Sequence, residues 1–230
     1  MLKVWRDGLL RDLVVTATFT EGSVVQKFFQ LLETQRWDDH RYYHQSRINQ
    51  SLHFISAVSF LFAYGLLFID PPMAALVGWL ISMTTRQSGH FFFEPLGFDT
   101  VNNVSNEYKE EIKVGYNLQR KVILIGTWAL TPLLVYLSPT LFGTLPAYQG
   151  FNGFMHHVGW IWLFLGAGGL IFRTVHLFFL KDVMNGLAWM TKILTDPFHD
   201  IGLYYKAPYY LLRGQLLDPM DHVVHAGQRG

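Results

Sequence analysis

Long apolar runs with few charges dominate the sequence and restrict the folds that it can adopt. The runs at residues 52–69, 73–93, 121–137 and 155–180 approach the ~20 residues that a helix needs to cross a ~30 Å hydrocarbon core. Only 15% of the residues are charged and 50% are hydrophobic, against roughly 25% charged in soluble domains. We therefore expect an all-α integral membrane protein with four transmembrane helices.

Short connections join these spans into two hairpins. Asp70-Pro71-Pro72 separates the first two spans, residues 138–154 read as the loop between the last two, and Pro132 should kink the third. The second run is interrupted by polar residues from Thr84 to Ser88. These must lie at or near membrane depth, where polar groups are costly and usually functional.

The flanking segments are expected to lie along the membrane surface. Residues 1–50 form a cytoplasmic amphipathic helical segment, residues 51–181 the four-span membrane domain, and residues 182–230 an aromatic interfacial tail. Within the first segment, residues 9–32 mix apolar and polar positions as a surface helix does. The tail intersperses aromatic and basic residues, namely Trp189, Lys192, Tyr204, Tyr205, Lys206, Tyr209, Tyr210 and Arg213.

Basic residues outside the spans predict the orientation of the chain, because cytoplasmic loops collect Lys and Arg. The connections at residues 70–72 and 138–154 contain none. The other three segments contain Lys3, Arg6, Arg11, Lys27, Arg36, Arg41 and Arg47, then Lys109, Lys113, Arg120 and Lys121, then Lys181, Lys192, Lys206, Arg213 and Arg229. Both termini should therefore face the cytoplasm.

Charge and cysteine content exclude several classes of function. With 18 basic and 17 acidic residues, the net charge is +1, which leaves no basic surface for nucleic acid. The chain has no cysteine, so disulfides, thiolate zinc sites and iron–sulfur clusters are excluded. Histidine, aspartate and glutamate are the remaining strong metal ligands, and the chain has 10 histidines.

The predicted topology places several of these potential ligands at one level, near the cytoplasmic ends of the spans. They are His40, His44, His53, His90, Glu94 and His176. His90 and Glu94 share one helical face, since they are four residues apart. Neutral imidazole with carboxylate oxygen suits non-haem iron, although spacing alone leaves the metal open. His156 and His157 should lie at the opposite side, and His222 and His225 in the solvated tail.

One part of the chain resembles a known family. The segment Tyr43-His44-Gln45-Ser46-Arg47-Ile48-Asn49-Gln50-Ser51-Leu52-His53, followed by Gly89-His90-Phe91-Phe92-Phe93-Glu94-Pro95, resembles the 2-hydroxy fatty acid dioxygenase family. The resemblance covers roughly Arg41 to Pro95. It departs from the family after the first histidine, where a proline is usual, and after the glutamate, where Leu96-Gly97 follows Pro95.

The resemblance implies a small multi-span enzyme that uses iron(II) and dioxygen. It would shorten a 2-hydroxy fatty acid by one carbon, with His44, His53, His90 and Glu94 as catalytic metal-site positions and no haem. His40 and His176 are possible additional ligands from their predicted depth. A substrate could chelate the iron through its 2-hydroxyl and carboxylate oxygens.

The substrate is expected to lie among the spans with its head at the metal. Its acyl tail would pack among Phe60, Phe62, Phe91 and Phe92, and its carboxylate would pair with a nearby arginine. The candidates for that substrate-binding role are Arg47, Arg86 and Arg173.

Two other classes remain open at this stage. A membrane di-iron hydroxylase or desaturase also uses histidine clusters, although such enzymes need about eight histidines in boxes with adjacent pairs on the same face. A haem-binding or structural subunit of a larger membrane complex would use two histidines on facing helices. An oligomer or larger complex is compatible with each reading.

Overall fold

The computed structural model describes residues 23–113 and 118–221. Most of the predicted surface helix at residues 9–32 lies outside these ranges, as do His222 and His225. The described residues are mainly helical and contain no β-strand, only two isolated bridges. The predicted all-α class is therefore confirmed for the described part of the chain.

The first two helices are joined by a short connection that contains His44. Helix α1 comprises Val24–Tyr43, and α2 comprises Arg47–Leu66. Ser46 begins α2, because its hydroxyl accepts a hydrogen bond from the Asn49 amide at 3.5 Å. His44 therefore lies between two helix ends.

The second apolar run forms one continuous helical rod in three parts. These are α3 (Pro71–Val77), a π-helical segment (Gly78–Met83) and α4 (Thr84–Phe92). Asp70 caps the start by accepting from the Met73 amide at 3.1 Å, and prolines occupy the first turn. The Asp-Pro-Pro turn thus ends one helix and begins the next, as predicted.

The remaining helices are α5 (Asn106–Ile112), α6 (Leu118–Leu137), α7 (Gly150–Leu180), α8 (Val183–Tyr204) and α9 (Ala207–Leu212). The predicted fourth span began at Met155, but α7 begins five residues earlier, and the preceding loop is correspondingly shorter. Pro132 lies inside α6.

Helix α7 packs against α3 and α8, and α2 packs against α8 and α4. Gly159 allows the α3–α7 contact, since a Cβ there would lie 2.5 Å from the Pro72 carbonyl oxygen. Three tryptophans, one each from the α3–α4 rod, α6 and α7, pack together where these helices meet. The Trp79 indole donates to the Trp162 carbonyl at 2.9 Å, and the Trp162 indole donates to the Trp128 carbonyl at 3.0 Å.

Among the described residues, one helix is both long and apolar enough to cross a membrane. This is α7, and only 17% of its most apolar window is buried inside the protein. Residues Val122–Leu137 of α6 form a shorter apolar helix beside it. The remaining predicted spans are helical, but they do not meet the same test.

The tail differs from the interfacial segment predicted. Helix α8 packs against α1 and α2, and it buries Trp189 and Tyr204, which were predicted at the headgroup level. The prediction failed because aromatic residues among lysines suit an interface and a polar core equally well. Tyr205 and Tyr209 are exposed as predicted.

The last described residues form a strap across the start of α2. The Arg47 amide donates to the Leu216 carbonyl at 2.9 Å, and the Asp218 amide donates to the Gln45 carbonyl at 2.8 Å. The Asp218 carboxylate also pairs with the Arg47 guanidinium at 3.0 Å. The strap thus holds Gln45 and Arg47, the first and third residues after His44.

Candidate metal centre

Three histidines from three parts of the chain meet in the interior. His44 comes from the α1–α2 connection, His53 from the second turn of α2, and His90 from the last turns of α4. Their ring centroids are 4.1 Å (His44–His53), 5.2 Å (His44–His90) and 4.9 Å (His53–His90) apart. One potential ligand atom from each lies within 4.8 Å of the other two. The group could hold a metal ion.

The sequence places these rings together through a close approach of α4 to α2. Gly89 precedes His90, and a Cβ at this glycine would overlap the Asn49 side chain and lie 3.5 Å from the His53 ring. Asn49 is itself fixed, because its amide donates to the Tyr43 carbonyl at 2.8 Å. Glycine at position 89 therefore allows His90 to reach His53.

Each ring has an oxygen beside its Nδ1 atom. The Tyr204 hydroxyl lies 2.9 Å from His44 Nδ1, and the Glu94 carboxylate lies 2.9 Å from His90 Nδ1. The Asp200 carboxylate is 3.6 Å from His53 Nδ1, an ion-pair distance rather than a hydrogen bond. Metal-binding histidines commonly have such a partner on the second ring nitrogen, which fixes the ring orientation.

In two of the rings, the second nitrogen, Nε2, is available to bind a metal ion. Nε2 of His44 and Nε2 of His53 are buried and have no hydrogen-bond partner. A metal ion could bind these two nitrogens, and it would compensate for burying them without a partner. Burial lowers the pKa of His44 well below its usual value, so that its ring is neutral at pH 7, as metal binding requires.

Glu94, predicted as a metal ligand, lies beside the histidine group and is not one of its members. One carboxylate oxygen contacts His90 Nδ1, and the other accepts from the Lys113 ammonium at 2.7 Å. The four-residue spacing correctly predicted that Glu94 and His90 meet. The contact, however, is with Nδ1 of the ring, where a carboxylate can orient a metal-binding histidine.

The two additional ligands predicted from depth also lie outside the group. His40 Nδ1 is 3.1 Å from the Tyr204 hydroxyl, which links it to His44 through that tyrosine. His176 lies on α7, with Nδ1 3.0 Å from the Arg173 guanidinium. Depth alone did not predict which way each side chain faces around its helix.

Buried charges surround the histidine group on the α8 side. Arg86 pairs with Asp200 at 2.8 Å and with Asp196 at 3.4 Å. Lys192 pairs with Asp196 at 2.8 Å and with Asp39 at 2.9 Å. The carboxylates are thus each paired with a base, which buried charges require.

Of the three arginines predicted to bind substrate, only Arg86 lies beside the histidine group. Arg47 pairs with Asp218 of the strap and stacks on the Tyr210 ring at 4.6 Å. Arg173 is buried on α7 next to His176. Arg47 and Arg173 therefore make their contacts elsewhere in the fold.

Sequence reasoning missed the contribution of α8. Lys192, Asp196, Asp200 and Tyr204 recur every four residues, so they occupy one face of that helix. A polar face at this spacing in an otherwise apolar helix is the signal that could have identified them.

A large cavity adjoins the histidine group. Its volume is about 480 Å³, and its walls come mainly from the α3–α4 rod, α2, α7 and α8. His90, Arg86, Lys192 and Asp39 line its polar end, and the remaining wall is mostly apolar. Phe60 lines the cavity as predicted for an acyl site, but Phe62, Phe91 and Phe92 are exposed and are not among its lining residues.

The chain matches no protein-family model, and it has no significant match among curated proteins or solved structures. The family suggested by the motifs around His44 and His90 thus remains a resemblance.

Proposed function

We propose that this protein is a membrane-bound non-haem iron(II) dioxygenase that shortens 2-hydroxy fatty acids by one carbon. The observation that carries the proposal is the histidine group, whose member His90 lines the polar end of a long and mostly apolar cavity. An amphipathic substrate with a polar reacting end fits this arrangement, because its head would reach His90 while its tail stays in the cavity. The family resemblance supplies the reaction.

The site residues could hold a metal ion, and the family resemblance supplies iron as its identity. His44, His53 and His90 would hold it, and their neutral nitrogens together with orienting oxygens are typical of non-haem iron and of zinc. When bound, iron(II) supplies the ability to activate dioxygen and leaves positions open for a 2-hydroxy acid. Three protein ligands leave a coordination position open, as they do in catalytic zinc sites.

The proposed reaction balances with dioxygen as the sole oxidant. A 2-hydroxy acid, RCH(OH)COOH, and O₂ give RCOOH, CO₂ and H₂O. The bond between C1 and C2 breaks, C1 leaves as carbon dioxide, and C2 is oxidised from an alcohol to a carboxylic acid. The carbons lose four electrons, and dioxygen accepts them.

The protein's own residues would position the substrate and exclude water. Arg86 carries five N–H donors and would share its guanidinium between Asp200 and the substrate carboxylate. Apolar walls would replace water around the tail. Tyr204, Asp200 and Glu94 would keep the three rings in one orientation while substrate enters.

Insertion in a bilayer is part of the proposal. Helices α6 and α7 expose large apolar side chains that water does not favour, including Leu130, Leu133, Leu137, Phe164, Ile171 and Phe172. Lipid contact would cover this surface. The four-span arrangement, with both termini cytoplasmic, follows from the basic-residue pattern and is tested by reporter fusions at each end.

The geometry favours this reading over the other two classes. The described residues bring three histidines together, fewer than the eight or so of a di-iron hydroxylase. A haem between two of the rings is disfavoured, since centroids 4.1 to 5.2 Å apart leave no room for a porphyrin.

The test combines metal analysis with product analysis. Purified protein should contain iron without a haem Soret band, and it should convert a 2-hydroxy fatty acid and dioxygen to the acid one carbon shorter. The same acid without the hydroxyl should be inert. His90→Ala should lose metal and activity, whereas His156→Ala, an exposed position on α7, should keep both. Hydroxylation of the plain acid at unchanged length would contradict the proposal.

A further inference from the structure

The walls of the cavity suggest how the enzyme would select the length of its substrate. The lining residues of the rod are Ala74, Ala75, Gly78, Trp79, Met83, Arg86, Gln87 and His90. They recur every three or four residues, so the cavity follows one face of the rod from His90 to Ala74. At about 1.5 Å per residue, the sixteen steps from Ala74 to His90 correspond to roughly 24 Å.

That length suits a single acyl chain. One leaflet of a bilayer, half of a ~30 Å hydrocarbon core, is about 15 Å thick, and it accommodates one lipid tail. The cavity is long enough for a complete tail, and its charged end can take only the head. The apolar end lies on the far side of Gly78, where Ala63, Ala74, Ala75 and Leu67 form the wall.

Two glycines in the cavity wall have space around them for a larger side chain, so either could limit the length of a bound acyl chain. A Cβ on Gly78 would meet only one atom within 4 Å, the Phe60 ring at 3.7 Å. A Cβ on Gly166 would meet only the Trp79 indole, at 3.7 Å. Both glycines line the cavity, so a larger side chain at either position would extend into it.

We infer that Gly78 and Gly166 set the maximum length of the acyl chain that this cavity accepts. Gly78 lies twelve residues from His90, or about 18 Å along the rod, and the wall continues for roughly 6 Å beyond it. A large side chain at Gly78 would fill the apolar end of the cavity beyond this residue and leave the polar end at His90 unchanged. This inference rests on the proposed function for the identity of the head group, but the binding of the tail is independent of catalysis.

The experiment measures binding of a series of 2-hydroxy fatty acids of increasing length, by displacement of a fluorescent fatty acid from the purified full-length protein. Gly78→Leu should leave short acids unaffected and weaken long ones, by about fourfold for each methylene that no longer enters. Gly166→Leu should have the same effect, and it tests the inference if Gly78→Leu does not fold. Bound metal should be unchanged in both variants.

A nearby glycine that does not line the cavity provides the control. Gly168 lies on α7 two residues from Gly166, does not line the cavity and has no atom within 4 Å of an added Cβ. Gly168→Leu should keep the length profile of the parent. Equal weakening at all lengths, an unchanged profile in both test variants, or no binding by the parent would overturn the inference. A shifted binding profile without turnover would instead refute the proposed reaction and leave the length selection intact.

Discussion

Glu94→Gln separates the two roles that a carboxylate beside His90 can have. In the structure, Glu94 contacts His90 Nδ1 at 2.9 Å and Lys113 at 2.7 Å, which places it behind the ring. Glutamine keeps an oxygen that can accept from the ring but loses the negative charge. If Glu94 orients His90, the variant should therefore still bind metal, but more weakly.

The expected loss follows from the behaviour of such orienting groups. Replacing the partner of a ligand histidine typically lowers metal affinity 10- to 100-fold, which corresponds to about 1.4 to 2.7 kcal/mol. His90→Ala removes a ligand and should abolish binding within the range of the assay. Glu110→Gln is the matched control, because Glu110 also pairs with Lys113, at 3.1 Å, but is more exposed. Its affinity should equal that of the parent.

The assay is a competition titration of iron(II) against a chelator of known affinity, performed without oxygen on protein in detergent. Helix content, measured by circular dichroism, shows that each variant is folded. A Glu94→Gln protein that loses metal as completely as His90→Ala would make Glu94 a ligand, as the sequence predicted. A Glu94→Gln protein with the parent's affinity would refute an orienting role.

Three further predictions concern other parts of the fold. Tyr204→Phe removes the hydroxyl beside His44 Nδ1 and should weaken metal binding about tenfold in the same titration. Gly159→Ala forces a methyl group against the backbone of α3 and should lower the free energy of unfolding by about 1 to 3 kcal/mol, measured in denaturant. Burial tends to raise the pKa of Asp39, but the nearby positive charges, of which Lys192 acts most strongly, together outweigh burial and hold this pKa well below its usual value. The resulting stability is present above the unfolded pKa and is lost as pH falls through the folded pKa, so Lys192→Met should move acid unfolding to higher pH.

Each of these has a control at a comparable position. Tyr205→Phe changes an exposed tyrosine and should not affect metal affinity. Gly168→Ala has open space for its methyl group and should leave stability within about 0.5 kcal/mol. Lys206→Met should leave the acid transition in place, because Lys206 is not among the charges that act on Asp39. Equal effects in a test variant and its control would contradict the corresponding explanation.

The sequence predicted most of the long helices, and it predicted that His44, His53 and His90 lie close together. Apolar runs and the Asp-Pro-Pro turn predicted where the α3–α4 rod begins, because both signals are local. His44, His53 and His90 were grouped from their positions near the ends of helices joined by a short turn. Neighbouring helices in a hairpin must be adjacent, so depth predicted that these three residues lie close together, but it also grouped His40, Glu94 and His176 with them.

The residues around the histidines could not be predicted in the same way. Tyr204 and His44 are 160 positions apart in the sequence, and a periodic pattern within one helix does not predict a contact between residues so far apart. His176 shares the predicted depth but faces Arg173, because depth does not specify rotation about the helix axis. For Glu94, spacing predicts contact with His90, but it does not specify which ring nitrogen is contacted.

The strap has a consequence for the order in which the protein is made. Residues 216–218 bond to residues 45–47, so the surroundings of His44 are complete only when the end of the described chain has left the ribosome. His53 and His90 are synthesised more than a hundred residues earlier, which corresponds to about ten seconds at ordinary translation rates. During that interval the three rings lack Tyr204, Asp200 and the strap. A metal held by these rings would therefore reach its complete surroundings only after residues 200–218 have been synthesised, and a premature stop before Asp200 would remove Asp200, Tyr204 and the strap from the site.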